Sequence, residues 1–486
     1  MTKNKFWSDL IFVQGINILI KTVWILVIDR AVQNLLPAED YGTYYRLLSM
    51  SILFVIVLDL GLSNMNNKEV AQDEQFFKAN FFSFFKAKGL LSLCYILLLF
   101  IAALALNLSN NQLVLLGVIG MFQVTNSYNQ YLRSNLSALH FFKLDGILAV
   151  ADRLLVIFVC GSWLVIPSLK HNLTINNFVY VQLGGVLITL IIALSVNLKK
   201  LSKISSSIQK TNIKALVKES LPYALLITLM AVFTRVDAVM IGQILGDSFT
   251  YSYAMCYRLI DAANMMAALF SGMLLPMFAR ILSNSKEVEK LATTATKVLI
   301  IPAMMVALIL APHSREILEL MYSNQVDLVD TTTFVLLIFS FTASASVFVF
   351  GTLLTAAKRL KVLNKLALLA ALSNVILNFW LIPKMGIKGA ALATLITQSI
   401  FAIGCLAYSY KSFEFKVSSN LSLKIIAVLG LFLLIFYGSL QFFNNSFVHI
   451  SFGVALSAML VVGSGIISLN TLKNLSRRKT HNPSDN

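Results

Sequence analysis

Arg235-Val236-Asp237-Ala238-Val239-Met240-Ile241-Gly242-Gln243-Ile244-Leu245-Gly246-Asp247-Ser248 stands inside a stretch, residues 220–282, that puts ionisable side chains where an oily chain has least room for them. The stretch reads as two long apolar runs joined at Gly246-Asp247-Ser248, with Arg235, Asp237, Arg258 and Asp261 inside the runs. A charge within a spanning helix is costly, so it faces a bundle interior or a wet cavity and marks a functional position by default. The rest of the chain reads as scaffold for such a cavity.

Working outward, 58% of the 486 residues are hydrophobic, 13% are charged, and mean hydropathy is +0.79. Soluble domains carry about a quarter charged residues, so the composition is that of a polytopic membrane protein. Only helices and closed barrels satisfy their own backbone groups in lipid, and apolar runs of about 20 residues are the length of spanning helices. The expected fold class is therefore all-α. The net charge of +17 does not point to nucleic acid, because the basic residues recur between apolar runs instead of forming one patch. Cys94, Cys160, Cys256 and Cys405 all fall within apolar runs without paired spacing, which implies small core hydrophobes and neither disulfides nor a metal site. The first run, residues 10–29, is long enough to span and lacks a small-residue cleavage site, so it is expected to stay as the first helix.

About fourteen spans can be read between residues 10 and 468. With the N-terminus inside, 29 Lys and Arg fall in inner segments, Lys88 of the connection 64–88 among them, and six in outer ones, Arg46 among them, a bias that supports both the count and the direction. Both termini are expected to be cytoplasmic. The basic connection 198–219 separates an N-terminal lobe, 1–197, with six helices, from a C-terminal lobe, 220–410, with helices seven to twelve. Helices thirteen and fourteen occupy 411–468, and 469–486 is a tail. Leu35-Leu36-Pro37 through Tyr44 aligns without gaps on Ile244-Leu245-Gly246 through Tyr253. An even number of helices per unit makes such a repeat parallel, about an axis along the membrane normal.

Two helices carry polar stripes. Gln123, Asn126 with Ser127, Gln130 and Arg133 share one face of the fourth helix, and Gln14, Asn17 and Lys21 one face of the first. Such faces serve either interhelical hydrogen bonding or the wall of a cavity, and the spacing does not choose between them. Lys21, Arg235 and Arg258 form the candidate cationic site, since fixed cations at depth suit an anionic cargo such as a diphosphate. Arg258 and Asp261, three apart on one face, can alternatively neutralise each other, whereas Arg235 and Asp237, two apart, do not face each other. Asp237, Asp261 and Asp59 are candidates for coupling to a driving cation, proton or sodium, although Asp59, Asp29 and Asp152 also suit plain salt bridges. No catalytic signature is present, so no enzyme and no cofactor is expected.

Leu36-Pro37-Ala38-Glu39-Asp40-Tyr41-Gly42-Thr43-Tyr44, then Leu58-Asp59-Leu60-Gly61-Leu62 and Lys68-Glu69-Val70-Ala71, resembles the N-terminal signature of polysaccharide-biosynthesis flippases of the O-antigen and capsule type, within the multidrug/oligosaccharidyl-lipid/polysaccharide (MOP) exporter superfamily. Asn374-Val375-Ile376-Leu377-Asn378, Leu381-Ile382-Pro383 and Gly389-Ala390-Ala391-Leu392-Ala393-Thr394 resemble the signature of its eleventh and twelfth helices. The resemblance covers about residues 1–410; Tyr251-Ser252-Tyr253 departs from it where the family often has a glycine. It implies a transporter that flips undecaprenyl-diphosphate-linked oligosaccharide from the cytoplasmic to the outer leaflet of a bacterial inner membrane, by alternating access coupled to an ion gradient. A polysaccharide polymerase would be the implied partner. A lipid II flippase and a multidrug or organic-cation exporter are the alternatives within the superfamily. A membrane-embedded polymerase is the alternative outside it, disfavoured because the outer connection 313–332 offers only His313 and Arg315 for chemistry.

Overall fold

The computed structural model describes residues 15–202, 213–322, 331–416 and 419–466, and every regular element among them is helical. In chain order these are α1 (15–35), α2 (Ala38–Phe54), α3 (Leu62–Gln72), α4 (Glu74–Ala105), α5 (Asn110–Ala138), α6 (Phe142–Val165), α7 (Ile175–Leu201) and α8 (Ile213–Ile244). They continue as α9 (Asp247–Ile281), α10 (Ser285–Met321), α11 (Thr331–Ala356), α12 (Leu360–Met385), α13 (Ile387–Phe413), α14 (Ser419–Gly438) and α15 (Ser446–Gly463).

Among the described residues twelve helices are long and apolar enough to cross a membrane, with α2 and α3 running together as the single span Ala38–Gln72. The two remaining expected spans are α1, described only from residue 15, and α5. At 29 residues α5 is long enough, at about 1.5 Å per residue, but its polar stripe keeps it out of the apolar set. The all-α, multi-pass architecture expected from composition is therefore the one observed.

Helix ends follow side-chain chemistry. Ser109 and Gln112 form a reciprocal capping box at the start of α5, Asp73 accepts from the Gln75 amide at the start of α4, and Thr174 accepts from the Asn177 amide at the start of α7. These bonds satisfy amide groups that the first helical turn leaves unpaired. Three spans depart from regular geometry in mid-course, among them α10, where Thr296–Ile300 is π-helical and Ala311–His313 is a 3-10 turn. Within α1, Trp24–Asp29 is a π-helical segment of six residues. Between α2 and α3 the chain passes through the 3-10 turn Val55–Leu58 and then through Leu60 and Gly61 at φ 44° and 84°. Gly61 takes a left-handed conformation that a Cβ disfavours, and the second span is consequently a broken helix.

By compactness the chain divides into two units, Met1–Ala262 with Leu360–Thr394, and Ala263–Arg359 with Leu395–Asn486. These units follow compactness, whereas lobes 1–197 and 220–410 follow internal repetition in the sequence. In the first unit α8 packs on α12 and α2, and α5 packs on α7, α3 and α2. Its aromatic-rich core gathers Phe77, Phe81 and Phe84 of α4 with Tyr131, Leu132 and Leu136 of α5. In the second unit the hairpin α14–α15 packs Val428, Phe432, Phe436 and Leu456 on Ile301, Met305 and Ile309 of α10. His313 Nε2 lies 2.8 Å from His449 Nδ1 there, and His449 Nε2 lies 2.9 Å from Ser439 Oγ.

Large apolar side chains such as Phe158 and Leu434 point outward, as a lipid-facing surface requires. All four cysteines are free; Cys160, Cys256 and Cys405 are buried, while Cys94 is exposed on α4.

Candidate functional site

The charged residues that sequence singled out lie in the first unit, and on α2, α8 and the first half of α9 three arginines each hold a carboxylate. Arg235 of α8 donates to Asp261 of α9 at 2.9 Å and to Tyr45 Oη at 3.3 Å, and its guanidinium lies 5.7 Å from the centre of the Tyr257 ring. The side chains of Arg235 and Asp261 each keep 24% exposure. Arg258 of α9 is sealed at 5%. It donates to Asp29, to Tyr41 Oη and, at 2.6 Å, to Gln33 Oε1. The alternative of a neutralising contact between Arg258 and Asp261 is not the one taken: α1 supplies Asp29 to Arg258, and Asp261 turns to Arg235. Arg235, which sequence left without a partner, has one.

The third pair was not foreseen. Arg46, assigned by sequence to an outer connection, is buried within α2 and grips Asp247 through Nε at 2.6 Å and Nη2 at 2.9 Å, a two-pronged arrangement suited to a carboxylate. Thr43 Oγ1 adds 2.5 Å to the same carboxylate. The pair forms because α2 and the α8–α9 corner approach closely at two glycines. A Cβ on Gly42 would meet the backbone carbonyl of Asp247, and one on Gly242 would meet the Arg46 side chain.

Asp237 is of another kind. It is 1% exposed, and among the described residues no lysine or arginine pairs with it. Tyr253 Oη donates to it at 2.9 Å, Asn378 Nδ2 at 2.6 Å, and Thr394 Oγ1 also donates. Asn378 Nδ2 reaches Asn374 Oδ1 at 3.1 Å as well, while Asn378 Oδ1 is buried without a partner. A carboxylate so far from water needs a compensating positive charge, either its own proton or a bound cation. Turning the Asn378 amide would offer such an ion four oxygens, from Asp237, Asn374, Asn378 and Thr394, a set that suits a hard monovalent cation. Sequence named Asp237 alone; Asn374 and Asn378, four apart in an apolar helix, were the available signal.

Lys21 on α1 is half-buried and feels the charges of Arg133, Arg153 and Asp152. Asp59 is taken up by Lys88 at 2.7 Å. Lys88, assigned by sequence to the connection 64–88, is in fact 0% exposed within α4. The stripe on α5 divides: Gln123 is buried and bonds Ser51 at 3.3 Å, Asn126 is half-buried, and Gln130 is exposed. Asn17 is buried, its amide 3.5 Å from the Gly146 carbonyl on α6, which is the interhelical bonding reading. Gln14 lies outside the described residues.

The family model for "polysaccharide biosynthesis protein" matches residues 2–282. No curated protein sequence matches the chain. Among solved structures, the lipid II flippase MurJ in an inward closed conformation is similar with a TM-score of 0.68 and 16% identity, covering 95% of this chain and 99% of that one. An inward-facing multidrug resistance MATE family transporter of the MOP superfamily gives 0.60 and 13% identity over 81% of this chain and 94% of its own. A MOP superfamily transporter from Pyrococcus furiosus gives 0.60 and 13% over 85% and 96%. At these identities the likeness is one of fold.

Proposed function

Because the chain belongs to the polysaccharide biosynthesis protein family and has the fold of MOP-superfamily transporters, we propose that it flips undecaprenyl-diphosphate-linked oligosaccharide across a bacterial inner membrane, from the cytoplasmic to the outer leaflet, for surface polysaccharide such as O-antigen, capsule or exopolysaccharide. The observation that carries the reading is the state of Arg235. Deep in a spanning helix and paired with Asp261, it still keeps about a quarter of its side-chain surface open. A guanidinium in that state can exchange a carboxylate for the oxygens of a diphosphate, and the exchange is favoured where water is scarce. Lys21 is the second cation of the site. Arg258, locked to Asp29, Tyr41 and Gln33, holds helices together and contributes its charge at longer range.

Alternating access between lobes 1–197 and 220–410 would carry the headgroup while the polyprenyl tail stays in lipid, with both termini on the cytoplasmic side. Asp237 is the coupling residue in this reading. It binds a proton or sodium ion with Asn374, Asn378 and Thr394, and Asp261 is released for coupling only when cargo takes Arg235. A polymerase acting on the delivered units at the outer face is the natural partner.

The test is export. Depletion is expected to accumulate lipid-linked oligosaccharide on the cytoplasmic face, and Arg235→Ala to abolish surface polysaccharide at unchanged protein abundance, with Arg235→Lys restoring part of it. Normal export by Arg235→Ala would remove that residue from the site. The structural likeness to the lipid II flippase MurJ favours lipid II as the second reading; accumulation of lipid II instead, with loss of viability, would select it.

A further inference from the structure

The motif Leu58-Asp59-Leu60-Gly61-Leu62 breaks the second span, and a broken helix leaves backbone carbonyls that need partners. Here the partner is an amine. Lys88 reaches from α4 so that Nζ lies 3.1 Å from the Leu58 carbonyl, 2.7 Å from Asp59 Oδ1 and 2.7 Å from Ser127 Oγ of α5. An ammonium has three protons, and this one spends all three on oxygen. Ser127 in turn donates to the same Leu58 carbonyl at 3.0 Å, and Ser63 braces Asp59 through its hydroxyl and amide. The lysine is wholly buried, and Asp59 keeps 20% exposure.

A carbonyl freed by helix breakage, a carboxylate and a hydroxyl around one positive centre are the donor set with which discontinuous spanning helices hold a monovalent cation. An ammonium and a potassium ion are close in size and carry the same charge. We propose that the break in helix two is a monovalent-cation cage permanently filled by the Lys88 ammonium, a cation delivered by the chain itself. The cage then keeps α2, α3, α4 and α5 in register without taking an ion from solution. Asp237 differs in that no lysine or arginine among the described residues pairs with it, so the two acids divide the work: one carries a tethered charge and the other exchanges its own.

The inference does not depend on the identity of the cargo, and it is tested on the purified full-length protein by thermal unfolding. Lys88→Ala empties the cage. In choline chloride, whose cation is too large to enter, the variant is expected to melt below the wild type. Potassium or ammonium chloride at the same concentration is expected to return most of the lost melting temperature, a gain the wild type does not show. The double variant Asp59→Asn/Lys88→Met, with neither charge, is expected to lose that cation response. Lys88→Ala melting like the wild type in choline would overturn the proposal. So would a deficit that no small cation relieves, or a variant that fails to fold in every salt, because each would mean that the site needs the lysine tether and not a cation.

Discussion

At the scale of single residues, exposure separates arginines that sequence treated alike. Arg258→Ala takes the guanidinium from Asp29, whose side chain is only 13% exposed, and breaking a largely buried pair from one side costs on the order of 3 kcal/mol. The expected outcome is a lowered melting temperature and reduced abundance, read by thermal unfolding and immunoblot, whereas Arg235→Ala keeps both. Equal abundance of the two variants would refute the distinction. Asp237→Asn keeps the shape of the side chain, and the unpartnered Asn378 oxygen lets that neighbour rotate to meet the new amide. The variant is expected to fold and to lose any dependence of transport or stability on sodium or pH; an unchanged ion response would clear Asp237 of a coupling role. The residue types of the site were legible in sequence because a charge in an apolar run stands out. Their partners were not. Helical spacing relates residues a few positions apart, but Arg258 finds Asp29 at a separation of 229 residues and Arg235 finds Asp261 at 26.

At the scale of elements, the helices themselves were legible and their interruptions were not. Apolar runs mark what lies in lipid, so the reading began the third span after Lys88 and counted Arg46, near the start of the second, with the outer connections. The helices continue past those charges because Asp247 and Asp59 neutralise them from neighbouring elements. The break at Leu60 and Gly61 was hidden in the same way, since its residues are apolar or small. Gly42→Ala is expected to force α2 away from the Asp247 carbonyl and to cost about 1–3 kcal/mol, in the range of overpacked contacts. Gly61→Ala, strained at positive φ, is expected to cost about 1–2 kcal/mol. Melting curves of the two variants check both values, and a neutral Gly42→Ala would show that the close approach is softer than the geometry implies.

At the scale of the whole molecule, composition alone carried the class, and the direction proposed for the chain rests on the alternation of basic connections. Moving Arg46 and Lys88 from connections into helices leaves the bias of 29 inner to six outer cations in place in sign. The topology predicts that Ser168→Cys, between α6 and α7, reacts with a membrane-impermeant maleimide on intact cells, and that Ser283→Cys, between α9 and α10, reacts only after permeabilisation. Labelling in the opposite order would invert the protein in the bilayer. Such measurements start from a quiet background. A thiol reacts as its anion, which needs water; three native thiols are sealed by packing and the fourth, Cys94, lies on an outward face of an apolar span. The natural chain is consequently almost blank to aqueous thiol chemistry, so paired spectroscopic reporters can be introduced and their separation followed through a transport cycle without first rebuilding the protein to remove its own sulfur.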